Sequence, residues 1–363
     1  MTYGPRWGRI PRMGRPTRRR ATRMRMMLCS LAGVLLLVGA AAAYTWHRLS
    51  GNISSVELGS LLTPEASATS DLNILVVGSD SRAGKNAARA GGGEDIGRSD
   101  TTLLLHLYGG RKKAALVSIP RDTIVDRPAC TAASGQNVPG RERVMFNAVY
   151  EMGGAPCTVA AVEALSGGMR INHYVEVGFN GFAELVDALG GADITLAKPI
   201  DDKLSGVHLG AGKHHLNGQE SLGLVRTRHG VGNGSDLGRI QLQHQFLTAV
   251  IGKMAGQDLL TDPVRLFAVA DAATKSLTTD SSLAHVDTLA SLAYSMKGLG
   301  AKDVQMVTLP TQLEQGDEDR LVPDAARGRM LWEALEADRP VPEGALTGTA
   351  SEPNGIGQVV TPG

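Results

Sequence analysis

The sequence predicts an α/β fold, a central mixed β-sheet covered by helices on both faces and preceded by one N-terminal transmembrane helix. Three observations carry that prediction. An uncharged apolar run, MMLCSLAGVLLLVGAAAAY, occupies residues 26–44 directly after an arginine cluster. Beyond it, short β-branched and leucine-rich runs alternate with segments whose apolar residues recur on a 3.6-residue period, the alternation that builds layered α/β domains. The composition also supports a sizeable core: 42% of the 363 residues are hydrophobic and 20% charged, which excludes a disordered chain and a many-spanning membrane protein.

The formal net charge of +1 is a cancellation. Residues 1–25 hold nine arginines and no acid, which leaves 28 basic against 36 acidic residues in the rest, a net of −8. A run of about 18 apolar residues can cross the hydrocarbon layer as a helix. Arginines resist transfer across the bilayer, so 1–25 is expected to stay as a cytoplasmic arm, 26–44 to be the anchor, and everything after Tyr44 to lie outside. Ala41, Ala42 and Ala43 offer a cleavage site for the alternative, a signal peptide, but the basic region and the apolar run are both long for one. A nucleic-acid arm would use the same arginines. Their adjacency to the span makes topology the simpler cause, and nucleic acid is not expected as a partner.

Residues 45–70, polar and small with Pro64, read as a linker, and the exported domain as 71–338 with its core at 71–254. NILVVGSD (73–80), TTLLLHLY (101–108) and AALVSIP (114–120) read as strands, the last two joined by GGRKK as a hairpin. Residues 81–99, rich in Gly, Ala and charge, read as a loop. Helices are expected at 157–167 and at 179–191, the latter stopped by Gly190-Gly191. NHYVEV (172–177) and ADITL (192–196) read as strands, and 220–230 as helix or strand before a Gly-rich turn. An amphipathic helix follows at 237–254, then helices at 263–275 and 281–297, a strand at 304–310 and a helix at 323–337. The tail, 339–363, is expected to be disordered. Cys29 lies within the apolar run and reads as a small hydrophobe. Cys130 and Cys157 are the exported pair, in a compartment where thiols oxidise, and are expected to form a disulfide.

Acidic and guanidinium groups recur at strand ends and loop starts: Asp80 and Arg82 in GSDSR, Arg98 and Asp100 in RSDT, Arg121 and Asp122 in IPRD; later come Arg226 and Arg228 in VRTRH, then Asp236 and Arg239 in SDLGRI. Ligands of α/β sheets sit at strand ends, so these positions can converge. Carboxylates suit a magnesium-like ion that completes its shell with water and phosphate, and planar guanidinium forks suit phosphate oxygens. Together they describe a pyrophosphate site with one divalent cation. Singly, each has a plainer role, an Asp as turn former and an Arg as surface ion pair. Arg226 and Arg228 share a face only if their segment is extended. The histidines show no metal-binding spacing and read as packing or surface groups.

NILVVGSDSR, GRSDTTLLLHL, VSIPRDT, FNAVYEMGG, INHYVEVGFNGFAELVDALGG and VRTRHGVGNGSDLGRIQLQ, in this order after a single anchor, resemble the LytR-CpsA-Psr family densely over 71–254. The resemblance implies an extracytoplasmic α/β domain that transfers a glycopolymer from a polyprenyl-pyrophosphate lipid to peptidoglycan, so the implied partners are a lipid-linked glycan donor and a peptidoglycan acceptor. It implies Asp80 and Asp100 as ligands of Mg2+ (or Mn2+). Arg98, Arg121 and Asp236 become catalytic, with Asp236 orienting the arginines or reaching the metal through water. Arg82, Arg226, Arg228, Arg239 and Gln243 become pyrophosphate-binding. The Cys130–Cys157 pairing also resembles actinobacterial members.

Two positions depart from the family pattern: Met145 stands where a Lys is common and Leu242 where an Arg is common. Losing two cations is expected to weaken or reorient pyrophosphate binding, with Arg143 and Arg239 near enough in sequence to compensate. A lipid pyrophosphatase and a non-catalytic lipid-binding or regulatory module are the rival functions, and the sequence leaves the polymer and the acceptor position open. Asp122 or Asp236 are the candidates for a general base.

Overall fold

A computed structural model describes residues 18–67, 69–79, 99–227, 236–256, 261–347 and 349, with the side chains of 18–25, 236, 318 and 319 outside the description. Helix α1 (Arg18–Asn52) contains the apolar run. Its segment Met26–Asn52 is long and apolar enough to cross a membrane. The large apolar side chains from Met26 to Val38 are exposed, Leu36 at 75%, as befits a surface meant for lipid. The chain up to Arg48 is one compact unit and Leu49 onward is a second.

Seven strands form the central sheet of the second unit: β1 (Ser54–Val56), β2 (Leu72–Ser79), β3 (Ser99–Leu107), β4 (Ala114–Ile119), β5 (His173–Gly178), β6 (Leu277–Asp280) and β7 (Val304–Thr308). Their spatial order is β1-β6-β5-β2-β3-β4-β7. The antiparallel pairs are β2 with β3, β3 with β4, and β6 with β5. The parallel pairs are β2 with β5, β4 with β7, and β1 with β6. β4 is buried at every position, which is why AALVSI shows no apolar–polar alternation: a strand covered on both faces has no polar side. β2, β4 and β5 run in one direction, so Ser79, Ile119 and Gly178 all end at one edge, where antiparallel β3 begins.

The helices are α2 (Phe146–Leu165), α3 (Phe179–Ala188), α4 (Gly218–Arg226), α5 (Asp236–Gly256), α6 (Pro263–Ser276), α7 (Val286–Ser295), α8 (Ala325–Glu336) and α9 (Glu343–Leu346). Leu75, Val77, Leu104, Val117 and Tyr174 face one side of the sheet and pack with Phe146, Val159, Leu331 and Leu335 of α2 and α8. Leu72, Ile74 and Leu107 face the other, against Leu292 of α7. A further cluster joins Val186, Leu224, Leu242 and Phe246 of α3, α4 and α5 with the ribbon Ala192–Leu196/Gly212–Leu216. α4 starts at a capping box in which Asn217 accepts from the Glu220 amide and Glu220 from the Asn217 amide, each at 2.9 Å, so two orphan donors are satisfied at once. α4 and α3 meet backbone to backbone at Gly218, where a Cβ would lie 2.0 Å from the Ala183 carbonyl oxygen.

Several expected boundaries move. The segment 45–70 is more than a linker: α1 continues to Asn52, Ser54–Val56 adds an edge strand to the sheet, and Leu58 is buried in the core. The helix expected at 157–167 begins eleven residues earlier, at Phe146, and bends where Gly154 takes φ 64° ahead of Pro156; GGAP reads as a breaker but acts as a kink. The segment expected as a helix from 281 begins only at Val286, and the four-residue strand β6 precedes it. The tail is ordered at its start: Val341 exchanges two hydrogen bonds with the Gln305 side chain of β7, and Ala345 is buried. Residues 350–363 lie outside the described residues. α3 ends as expected, with Gly190 and Gly191 at φ 79° and 75° and the Gly191 amide bonded to the Val186 carbonyl, a conformation that favours glycine.

Cys130 and Cys157 form the disulfide, with Cα atoms 5.3 Å apart. It ties the short ribbon Cys130–Thr131/Asn137–Val138 to the bend of α2. A closed loop of 27 residues removes unfolded-state entropy amounting to about 3–4 kcal/mol.

Candidate functional site

The edge where β2, β4 and β5 end opens into a cavity of about 560 Å³. Its walls are built by periodicity. Val76 and Gly78 of β2, Thr101 and Leu103 of β3 and Val177 of β5 alternate onto the sheet face that carries them toward it, while α4 contributes Gln219, Leu222, Gly223 and Arg226 at helical spacing. Phe179 and Phe182 of α3 and Phe246 of α5 complete an apolar interior, the Phe182 and Phe246 rings lying 5.6 Å apart.

One corner is ionic. Asp100, Arg121, Arg226, Arg239 and Gln243 all line the cavity, although they span more than 140 residues of sequence. Arg121 Nη1 donates to Asp100 Oδ1 at 2.5 Å and its Nε lies 3.7 Å from Asp122 Oδ1. Arg239, only 4% exposed, donates from Nη2 to the Asp100 carbonyl at 3.1 Å. Gln243 Nε2 donates to the Val225 carbonyl at 2.9 Å and lies 3.3 Å from Thr101 Oγ1. The Arg226 guanidinium sits 4.7 Å from the Phe179 ring centroid, a cation–π contact that holds a charge at the seam between ionic corner and apolar wall. Two arginines on this wall keep hydrogen bonds that orient their planar forks, the arrangement that suits bidentate phosphate oxygens.

Of the sequence-predicted site residues, Asp80, Arg82, Arg98 and Arg228 lie outside the described residues, as does the side chain of Asp236, whose backbone opens α5. The open reading of 220–230 resolves as helix up to Arg226, with Thr227 extended after it. The departures also resolve. Leu242 is fully buried among the apolar residues of α3 and α4, so a cation is not missing from the cavity wall there. Arg143 does not compensate for Met145, because its guanidinium pairs with Glu314 and it is absent from the cavity lining. Asp202, Ser205 and Phe179 line the cavity as well and were not singled out from sequence. Asp202 sits in a short ribbon, accepting from the Leu204 amide, and had no motif to mark it.

Among the described residues no group of three or more His, Cys, Asp or Glu side chains could hold a metal. A magnesium-type ion does not need such a cage, since one or two carboxylates suffice when phosphate and water complete the shell. The hard-oxygen carboxylate of Asp100 on the wall of a guanidinium-lined cavity fits that requirement.

Comparison with known proteins gives a consistent result. The LytR-CpsA-Psr family model matches residues 45–336. The probable cell wall biosynthesis protein LcpB of Corynebacterium glutamicum is 36% identical over 235 residues, 63% of this chain and 53% of its own length, so the chain spans about half of that relative. The polyisoprenyl-teichoic acid–peptidoglycan teichoic acid transferase TagU of Bacillus cereus is 31% identical over 239 residues, 64% of this chain and 71% of its own. Among solved structures, the LytR-Csp2A-Psr enzyme from Actinomyces oris shares the fold, with a TM-score of 0.60 at 22% identity, over 78% of this chain and 96% of that one.

Proposed function

Because the chain belongs to the LytR-CpsA-Psr family, we propose that it is a membrane-anchored extracytoplasmic phosphotransferase that moves a glycopolymer from a polyprenyl-pyrophosphate carrier to peptidoglycan. One observation carries the reading: a single cavity joins an arginine-lined corner to an apolar interior, and a polyprenyl pyrophosphate has a charged head and an apolar tail in the same order. The name of the TagU relative, a teichoic acid transferase acting on polyisoprenyl-linked polymer, supports the same class of donor.

In this reading the tail lies against Phe179, Phe182, Phe246 and Leu222, and the pyrophosphate meets Arg121, Arg226, Arg239 and Gln243. The acceptor hydroxyl oxygen gives up its proton to a base, for which Asp122 and Asp236 are the candidates, and forms a bond to the glycan-bearing phosphorus; the bond from that phosphorus to the bridging oxygen breaks, and polyprenyl monophosphate leaves. Arg121 and Arg239, oriented by the carboxylate and carbonyl of Asp100, stabilise the charge that develops on the phosphoryl oxygens, and donors already fixed in place do this without reorganising. Asp100, with Asp80, would hold Mg2+, which when bound supplies charge neutralisation at the phosphates. Arg226, braced on Phe179, holds the head at the seam between the ionic corner and the apolar wall. Arg98, Asp236, Arg82 and Arg228 keep the roles implied by the motifs, the first two catalytic and the last two pyrophosphate-binding.

The test is to incubate the full chain in detergent with lipid-linked glycan and peptidoglycan. Polymer attached to peptidoglycan, with polyprenyl monophosphate as coproduct, is the expected result. Free glycan phosphate without attachment would make water the acceptor and the protein a pyrophosphatase, and neither product would leave a lipid-binding module.

A further inference from the structure

α5 delivers two groups to the ionic corner, Arg239 and Gln243, one helical turn apart. Both are bonded to the chain through the donors that the proposed reading gives to the ligand: Arg239 to the Asp100 carbonyl, Gln243 to Val225 and Thr101. Lys253 ties the far end of α5 to Gly190 and Asp193, but at the ionic corner itself a register set by ligand-binding donors would shift whenever those donors turned to a ligand. Beside Gln243 stands a group with no such double duty. His244 is 5% exposed, and its Nε2 lies 2.7 Å from the hydroxyl of Ser118, itself 2% exposed on β4. Neither residue lines the cavity. Ser118 precedes Arg121 by three residues on the strand that carries it to the site edge. The bond therefore joins the helix that carries Arg239 and Gln243 to the strand that leads to Arg121. Burial holds the imidazole neutral, its pKa lowered to about 4, so it shares a neutral hydrogen bond and brings no competing charge behind the arginines. Packing alone does not require a polar ring there, since burying an imidazole costs free energy unless its nitrogen finds a partner.

We infer that His244 is a positioning residue: its bond to Ser118 sets the register of α5 on β4, and through it the spacing of Arg239 and Gln243 against Arg121. The inference rests on the reading of this corner as a pyrophosphate site.

The experiment uses the full chain in detergent and two probes, geranylgeranyl diphosphate and uncharged geranylgeraniol, with binding measured by calorimetry and folding by thermal melts. In His244→Leu, and in Ser118→Ala, which removes only a hydroxyl and protects against a failure to fold, diphosphate affinity should fall about ten- to a hundredfold, the scale of losing one charge-assisted hydrogen bond to the phosphates. Geranylgeraniol binding should stay within about twofold, and the double variant should be no weaker than either single one, as coupled partners require. His244→Gln, whose amide can still meet the hydroxyl, should recover most of the loss. An equal loss for both probes, or wild-type diphosphate affinity in His244→Leu while Arg239→Ala is weakened, overturns the inference and leaves the site reading intact. Wild-type diphosphate affinity in Arg239→Ala overturns the site reading itself.

Discussion

The two edges of the central sheet hold the same kinds of residue and use them oppositely. At the edge where β3 ends, polar groups close on one another. His106 Nδ1 meets Asn73 Oδ1 at 2.7 Å, Asn73 Nδ2 donates to the Arg170 carbonyl at 2.9 Å, and the Gly109 amide donates to the Asp338 carboxylate at 3.1 Å. Arg111, 6% exposed, is taken up by Glu65 and by the Ser295 hydroxyl. At the edge where β3 begins, three guanidinium groups and the carboxylates of Asp100 and Asp202 instead share the wall of a cavity. Buried arginine is thus no mark of a site in this protein. The mark is arginine arranged around a space, and the comparison teaches that partner geometry, not residue type, separates a structural cluster from a binding one.

The largest effect that could break this contrast is at Arg121. Arg121→Ala should lower polymer transfer by about 10²–10³-fold, the loss typical when one charge-stabilising donor is removed, with little change in the thermal midpoint, because the side chain is partly exposed. Asp100→Ala should behave alike, and undiminished transfer in both would erase the distinction between the edges.

Acid titration is next. Folded His244 takes a proton only near pH 4, whereas an unfolded histidine does so near 6.5. Between those values the unfolded chain binds more protons, so the contribution of this group to stability is fully present above about pH 6.5 and is lost toward pH 4, about 3 kcal/mol in all. Urea unfolding across that range measures it. His106, whose pKa burial also lowers against the opposing pull of Asp338, contributes in the same direction from the far edge, so His244→Gln should flatten the curve only in part.

A smaller effect belongs to the far edge alone. Asn73→Leu strands the His106 ring nitrogen and the Arg170 carbonyl and should cost about 1–3 kcal/mol of stability, with transfer per folded molecule unchanged. Reduced turnover in the folded fraction would show that the two edges communicate. The smallest is at the seam of the cavity: Phe179→Leu removes a cation–π contact worth about 0.5–1 kcal/mol and should raise KM for the lipid donor a few-fold without lowering kcat.

How far these features could be read from sequence follows the local signals. β2, β3 and β4 were legible because their apolar runs are continuous and bounded by Gly, Asp and Pro, and α3 because Gly190-Gly191 ends a clean period. β1 and β6 were not, since three or four residues such as SSV or LTTD carry no period and gain their pairing only from neighbours distant in sequence. The first half of α2 was hidden by GGAP, whose kink is stabilised by surrounding packing and the disulfide. For the site, charge at strand ends was enough to nominate Asp100 and Arg121, and the acid–guanidinium pairing in SDLGRI nominated Arg239, which lies inside α5. Nothing local could nominate Phe179 as the brace of Arg226 or Ser118 as the partner of His244, because both relations exist only once strands and helices from separate parts of the chain are stacked.

The contact at Gly218 has a consequence for how this cavity could change. Its wall between α3 and α4 is as thin as two backbones permit, held there by the lack of a single methyl group. A methyl at 218 cannot be added without levering the helices apart, so Gly218→Ala would act as a wedge driven in from behind. The breadth of the compartment can thus be retuned from a position outside its lining, and a lineage could drift in the bulk of the occupant it accepts while every residue lining the cavity stays the same.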